Sequence, residues 1–184
     1  MKTKVKILFI CHGNICRSAM GESLFRYMLE QETYPLSQIE VDSAATSREE
    51  IGNGMYPPAK RKLDEKGIPN GNHRARQITQ KDYEESDLII IMDKENLRGI
   101  QRIIPEDTEK KIFFLMDFAD EKWCDDFELG KTDSAYTQKK YPRDVADPWF
   151  TGDFEKTYQD LVMGCTGLLR ILKKHIRLHF TVLK

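Results

Sequence analysis

No stretch of this chain is apolar over the length a membrane span needs, and the short apolar run behind the basic start Met1-Lys2-Thr3-Lys4-Val5-Lys6 is too brief for a signal-peptide core. Neither sign of charge dominates. Lys and Arg number 29, Asp and Glu 30, and the formal net charge is -1, so bulk electrostatics does not point to nucleic acid. Only four cysteines occur, Cys11, Cys16, Cys124 and Cys165, without the paired spacing of a zinc site. In a reducing cytoplasm they are expected to stay free thiols. Internal repeats and low-complexity tracts are absent. What remains is a cytoplasmic protein of 184 residues, enough for one domain with an ordinary core.

Hydrophobic patterning supplies the architecture. Val5 to Ile10 is nearly continuous apolar sequence, as in a strand buried on both faces of a parallel sheet. From Ser18 the pattern turns helical through Met20, Leu24, Tyr27 and Met28, with Glu22 in an early turn. Ile39 to Ala44 reads as a second strand. Pro57-Pro58 opens a helix closed by Gly67. Leu88 to Met92 and Ile112 to Leu115 supply two more strands, and Asp93 between them is placed to cap a helix through Leu97 and Ile100. A last helix carries an apolar stripe from Phe154 through Leu161, Cys165, Leu168 and Leu172 to Ile176. This alternation predicts an α/β fold, a three-layer doubly wound domain with a four-stranded parallel sheet. One domain is expected over 1–184, with a polar, irregular excursion at about 117–144 and a short C-terminal tail at about 177–184.

The chemistry concentrates in Cys11-His12-Gly13-Asn14-Ile15-Cys16-Arg17-Ser18, between the first strand and the first helix. In doubly wound sheets ligands bind beyond the carboxyl ends of the strands, which is where this loop falls. Amides of His12 to Arg17, turned inward at a helix N-terminus, form an anion cradle. Arg17 adds a planar fork that matches two phosphate oxygens. Beneath them Cys11 is expected as a thiolate nucleophile, with the Ser18 hydroxyl in support. Gly13 and Asn14 tolerate left-handed backbone angles, which such a curl requires. The expected product of attack is a phosphocysteine.

Cys-His-Gly-Asn-Ile-Cys-Arg-Ser after a strand resembles the signature loop of the low-molecular-weight protein tyrosine phosphatases. Asp42-Ser43-Ala44-Ala45-Thr46-Ser47, His73 with Ala75-Arg76-Gln77-Ile78, Met92-Asp93 with Asn96-Leu97, and Asp147-Pro148-Trp149-Phe150 resemble further family segments, so the likeness spans roughly residues 5 to 172. The resemblance implies the phosphatase-I, flavodoxin-like sheet with strand order 2-1-3-4. It implies hydrolysis of phosphotyrosine and small aryl phosphates, with neither metal nor other cofactor.

By the same resemblance Asp147 protonates the leaving phenolate and then activates water against the phosphocysteine. Ser43 and His73 are expected to support Asn14. Ile15, Trp149 and Phe150 are expected to form a wall for the substrate ring, with Arg48 and Glu49 at the rim. Cys16 is expected to capture an oxidised Cys11 as a disulfide, giving redox regulation. Expected partners are phosphotyrosine proteins and phosphate or other oxyanions, with no nucleic acid, no stable membrane association and a monomeric state.

The chain also departs from the family pattern. Ala19 stands where proline is usual, Gly21 where alanine is common, and His12 replaces an apolar residue. Trp149 and Phe150 stand where many relatives carry two tyrosines, which removes phosphorylation there as a control. His175 and His179 lack a third ligand for a metal, and Arg170, Lys173, Lys174 and Arg177 read as a solvent face. Three alternatives stand beside the tyrosine phosphatase. A protein arginine phosphatase of the same family carries threonine where this chain has Ile15. An arsenate reductase needs a cysteine relay that Cys124 and Cys165 do not resemble. A phosphate-binding module without turnover would not need Asp147.

Overall fold

The computed structural model describes residues 4–32 and 38–181, with side chains to residue 174. Four strands, β1 (Val5–Cys11), β2 (Ile39–Ala45), β3 (Leu88–Ile91) and β4 (Ile112–Phe114), form one sheet in the order β2-β1-β3-β4 with every pairing parallel. This is the expected sheet. The helices are α1 (Arg17–Glu30), α2 (Pro57–Glu65), α3 (Gln80–Glu85), α4 (Lys94–Gln101), α5 (Glu121–Asp126), α6 (Pro148–Thr151) and α7 (Phe154–Thr181). A 3-10 turn at Leu115–Ala119 joins β4 to α5.

Alternation along β1 explains the three layers. Ile7, Phe9 and Cys11 enter one core with Met20, Leu24 and Phe25 of α1, Leu63 of α2 and Leu161, Cys165 and Leu168 of α7. Leu8 and Ile10 point to the other face, into a core with Tyr83 of α3 and Leu97 and Ile100 of α4. Because the first face is the larger, the long helix α7 lies there.

The segment expected as a polar excursion at 117–144 packs into the domain at its start, while from 128 to 144 it holds no helix or strand. Phe118, Cys124 and Phe127 are buried in the larger core, and Phe113, Phe118, Trp123 and Phe127 form a cluster of rings with centroids 5.1–6.3 Å apart. The apolar residues of this segment are too widely spaced, among many charges, to read as an element. The expected tail is corrected as well, since α7 continues to Thr181; residues 182–184 and the side chains of His175, Arg177 and His179 lie outside the described residues. No helix among the described residues is long and apolar enough to cross a membrane.

Docking of α7 leaves no room for side chains at two of its positions. A Cβ on Gly167 would fall 1.7 Å from the Phe118 carbonyl oxygen, and one on Gly164 would fall 2.4 Å from Leu115 Cγ. The helix therefore sits directly on the 3-10 turn, and its rotation about its own axis is fixed by contact with backbone.

Candidate active site

The sheet order reverses between β1 and β3, so the loops leaving these strands diverge and open a crevice at their carboxyl ends. Cys11 closes β1, and the signature loop follows at once. Asn14 there has φ 58, the left-handed region. The expectation for Gly13 is corrected: it is not among the glycines with positive φ, and the space it leaves is filled by Glu50, whose Cγ would lie 3.2 Å from an added Cβ.

A polar frame holds Asn14 in that strained shape. Its Nδ2 donates to Ser18 Oγ (2.9 Å) and Ser43 Oγ (2.8 Å), and its Oδ1 accepts from the Arg76 amide (3.2 Å). His73 Nε2 donates to its carbonyl at 2.5 Å. Glu22 accepts from Ser43 Oγ at 2.5 Å and lies 3.9 Å from His73 Nδ1, which extends the frame to α1. Asn14, Ser18 and Ser43 are buried, so each of these bonds replaces water that cannot enter.

The Cys11 sulfur lies at the floor of the resulting cradle, 3.0 Å from Ser18 Oγ and 3.3 Å from the Asn14 amide. Helix α1 begins at Arg17 behind Cys16, with no side-chain cap. Ser18, which the sequence suggested near the helix start, faces the sulfur instead of capping. Among the described residues, no protein acceptor meets the N–H groups of Gly13, Ile15, Cys16 and Arg17. These four residues line the same cavity as Cys11, as an anion cradle requires.

Arg17 is almost fully buried and forked between carboxylates. Nη1 pairs with Asp93 Oδ2, Nη2 lies 2.7 Å from Asp147 Oδ2, and Nη1 also reaches the Val145 carbonyl at 3.4 Å. Burial pulls the guanidinium pKa down, but the Cys11 sulfur, Asp93 and Asp147 outweigh it and raise the value, so the cation persists. Asp93 also caps α4 through Oδ1, 2.6 Å from the Asn96 amide, so the helix cap and the arginine brace are one residue. Asp147 caps α6, its Oδ1 accepting from the Trp149 amide at 3.0 Å.

Above the thiol opens a cavity of about 410 Å³. It is lined by the loop residues Cys11, His12, Gly13, Ile15, Cys16 and Arg17, by Asp93, Glu95 and Asn96, by Asp147, Trp149 and Phe150, and by Glu50 and Glu49, whose largely exposed side chain lies at the rim. Trp149 is 58% and Phe150 84% exposed, so both offer ring faces to an incoming group. Tyr56 backs Trp149 at a centroid distance of 5.4 Å. His12 Nε2 lies 3.1 Å from Glu49 Oε2 at the mouth. Arg48, next in sequence to the lining residue Glu49, is exposed.

Cys16 is a free, buried thiol, as are Cys11, Cys124 and Cys165. Burial first, then the neighbouring Cys11 and Asp147, push the Cys16 thiol up to about 12. It is therefore neutral near pH 7.

Fold and site together define an α/β protein with a buried cysteine and a buried arginine in one cavity at the carboxyl ends of its parallel strands. Residues 6–178 match the family described as low molecular weight phosphotyrosine protein phosphatase, and the chain belongs to that family, whose members are hydrolases. It is 31% identical over 174 residues to the low molecular weight protein-tyrosine-phosphatase YfkJ of Bacillus subtilis, covering 95% of this chain and 99% of that one. The low molecular weight phosphotyrosine protein phosphatase of Gallus gallus is 35% identical over 167 residues, covering 89% and 92%. The crystal structure of YfkJ superposes with a TM-score of 0.77 over 94% of this chain and 96% of that one. DARP, a drosophila arginine phosphatase, shares the fold at 23% identity, with a TM-score of 0.72 over 92% and 98%.

Sequence reasoning missed Glu22, Glu50 and Tyr56, and it favoured a cap over a part in the chemistry for Asp93, which here both caps α4 and pairs with Arg17. A carboxylate opposite a buried arginine is the signal that marks Asp93, but the partners are 76 positions apart.

Proposed function

We propose that this protein is a cytoplasmic protein-tyrosine phosphatase working through a phosphocysteine on Cys11. The carrying observation is the buried Cys11 sulfur, held by the Asn14 amide and Ser18 Oγ, in the same cavity as a buried arginine and the Asp147 carboxyl. The amides and the Arg17 fork bind the phosphoryl oxygens, and Asp93 holds the fork in place. With the phosphoryl group bound, Arg17 Nη2 turns from Asp147 to a phosphoryl oxygen and Asp147 takes up a proton; Cys11 Sγ attacks phosphorus, the P–O ester bond breaks, and the leaving phenolate takes that proton. Water then attacks phosphorus and gives a proton back to Asp147, and inorganic phosphate leaves with the thiolate restored. Ile15, Trp149 and Phe150 flank the aromatic ring of the substrate.

A second reading follows from the rim. Glu49, Glu50 and Glu95 carboxylates favour a cationic leaving group, and phosphoarginine supplies one. The apolar side chain of Ile15 and the two rings favour the aryl ester instead. Hydrolysis of para-nitrophenyl phosphate should fall to background in Cys11→Ser while phosphate binding persists, and Asp147→Ala should lose about 10²-fold or more. Undiminished activity in Cys11→Ser rejects the nucleophile. Paired phosphotyrosine and phosphoarginine peptides decide the substrate, and faster turnover of the second rejects the tyrosine assignment.

A further inference from the structure

Asp160 on α7 is fully buried and the focus of three donors. Its Oδ1 accepts from Arg143 Nη2 at 2.8 Å and Lys156 Nζ at 2.9 Å, and its Oδ2 from the Ala146 amide at 3.0 Å. Burial pushes this carboxyl's pKa up, but Arg143, the Ala146 amide and Lys156 outweigh it and hold the group below the usual carboxylate range. Three residues earlier on α7, buried Thr157 donates from Oγ1 to the Ala146 carbonyl at 2.8 Å. One helix face thus grips both the N–H and the C=O of a single residue, Ala146, and the next residue is Asp147. On the other side, the Val145 amide donates to the Met92 carbonyl at the end of β3 at 2.9 Å.

An exposed ion pair would explain Arg143 and Lys156, but not a wholly buried carboxylate spending one oxygen on a loop amide. A loop without this grip could shift by an ångström, and displacement on that scale costs a catalytic group much of its effect. We propose that Asp160, assisted by Thr157, is a positioning residue that fixes the segment before Asp147, so that its carboxyl reaches the leaving oxygen. The inference rests on the reading of Asp147 as the general acid.

The test measures kcat/KM for aryl phosphates whose leaving groups run from para-nitrophenol to phenol, in wild type, Asp160→Ala, Asp160→Asn, Thr157→Val and Asp147→Ala. A poor leaving group needs its proton most. Asp160→Ala should lose about tenfold with phenyl phosphate and about twofold with para-nitrophenyl phosphate. Asp160→Asn keeps an acceptor for the Ala146 amide and should return towards wild type. Thr157→Val, nearly equal in volume, should show the Asp160→Ala pattern in weaker form. A loss equal across all leaving groups, or no loss, in folded Asp160→Ala overturns the proposal. Should that variant fail to fold, the same flat response in Thr157→Val overturns it. Asp147→Ala separates the two levels: if its own loss is independent of the leaving group, the general-acid reading falls and the positioning role falls with it.

Discussion

Asn14 shows how much of the cradle depends on single residues. Its left-handed backbone costs on the order of 1 kcal/mol or more for a non-glycine residue, and the Ser18, Ser43, Arg76 and His73 bonds offset that strain. Cys11, Arg17 and Asn14 were legible because they share one loop, and Asp147 because it heads a short resembling motif. Asp93, Glu22 and Tyr56 were not, since their importance lies in contacts that only the folded chain creates. Cys16 carries a prediction of its own. With its thiol pushed up to about 12, only a minute fraction is thiolate at pH 7, and that fraction grows about tenfold per pH unit. After a fixed peroxide exposure, mass spectrometry should find more Cys11–Cys16 disulfide relative to overoxidised Cys11 at pH 9 than at pH 7. A constant ratio would show that ionisation of Cys16 does not limit capture, and overoxidised Cys11 with no such disulfide at either pH would remove Cys16 as the capturing thiol.

Elements differ in how openly they announce themselves. The strands and α7 were readable because long apolar runs and stripes leave few alternatives. Helices α3, α5 and α6 span only 6, 6 and 4 residues, too short for a helical period to emerge. Their caps do the work locally: Thr79 and Asp82 form a capping box for α3, Asp120 caps α5, and Asp147 caps α6. The contact between α7 and the 3-10 turn gives the sharpest test at this scale. Gly167→Ala forces a methyl into the Phe118 carbonyl, so the helix must lift, and a loss of about 3 kcal/mol is expected from overpacking against backbone. Urea unfolding measures it, and a midpoint unchanged from wild type would show that the helix can slide without cost.

The whole molecule carries a pH dependence that the site does not explain. Asp117 lies beneath α7, and burial raises its carboxyl pKa to about 7, against the lowering effect of the Phe114 amide. Between the unfolded value of 3.8 and about 7, the native state holds a proton that the unfolded chain releases. Stability from this group is therefore fully present below the lower value and is lost as pH rises through the upper one, on the order of a few kcal/mol. Asp117→Asn should flatten the difference between urea midpoints at pH 5 and pH 8, and an unaltered difference would assign the dependence elsewhere. The sheet order was readable at this scale because the signature loop belongs to one topology, whereas the aromatic cluster under α7 was hidden by charged neighbours. A single helix, locked on its glycine face and holding the segment before Asp147 with its aspartate face, joins two quantities usually set apart. Warming that loosens the glycine contact should first erode the enzyme's tolerance of reluctant leaving groups, while activated esters continue to turn over until the core itself gives way.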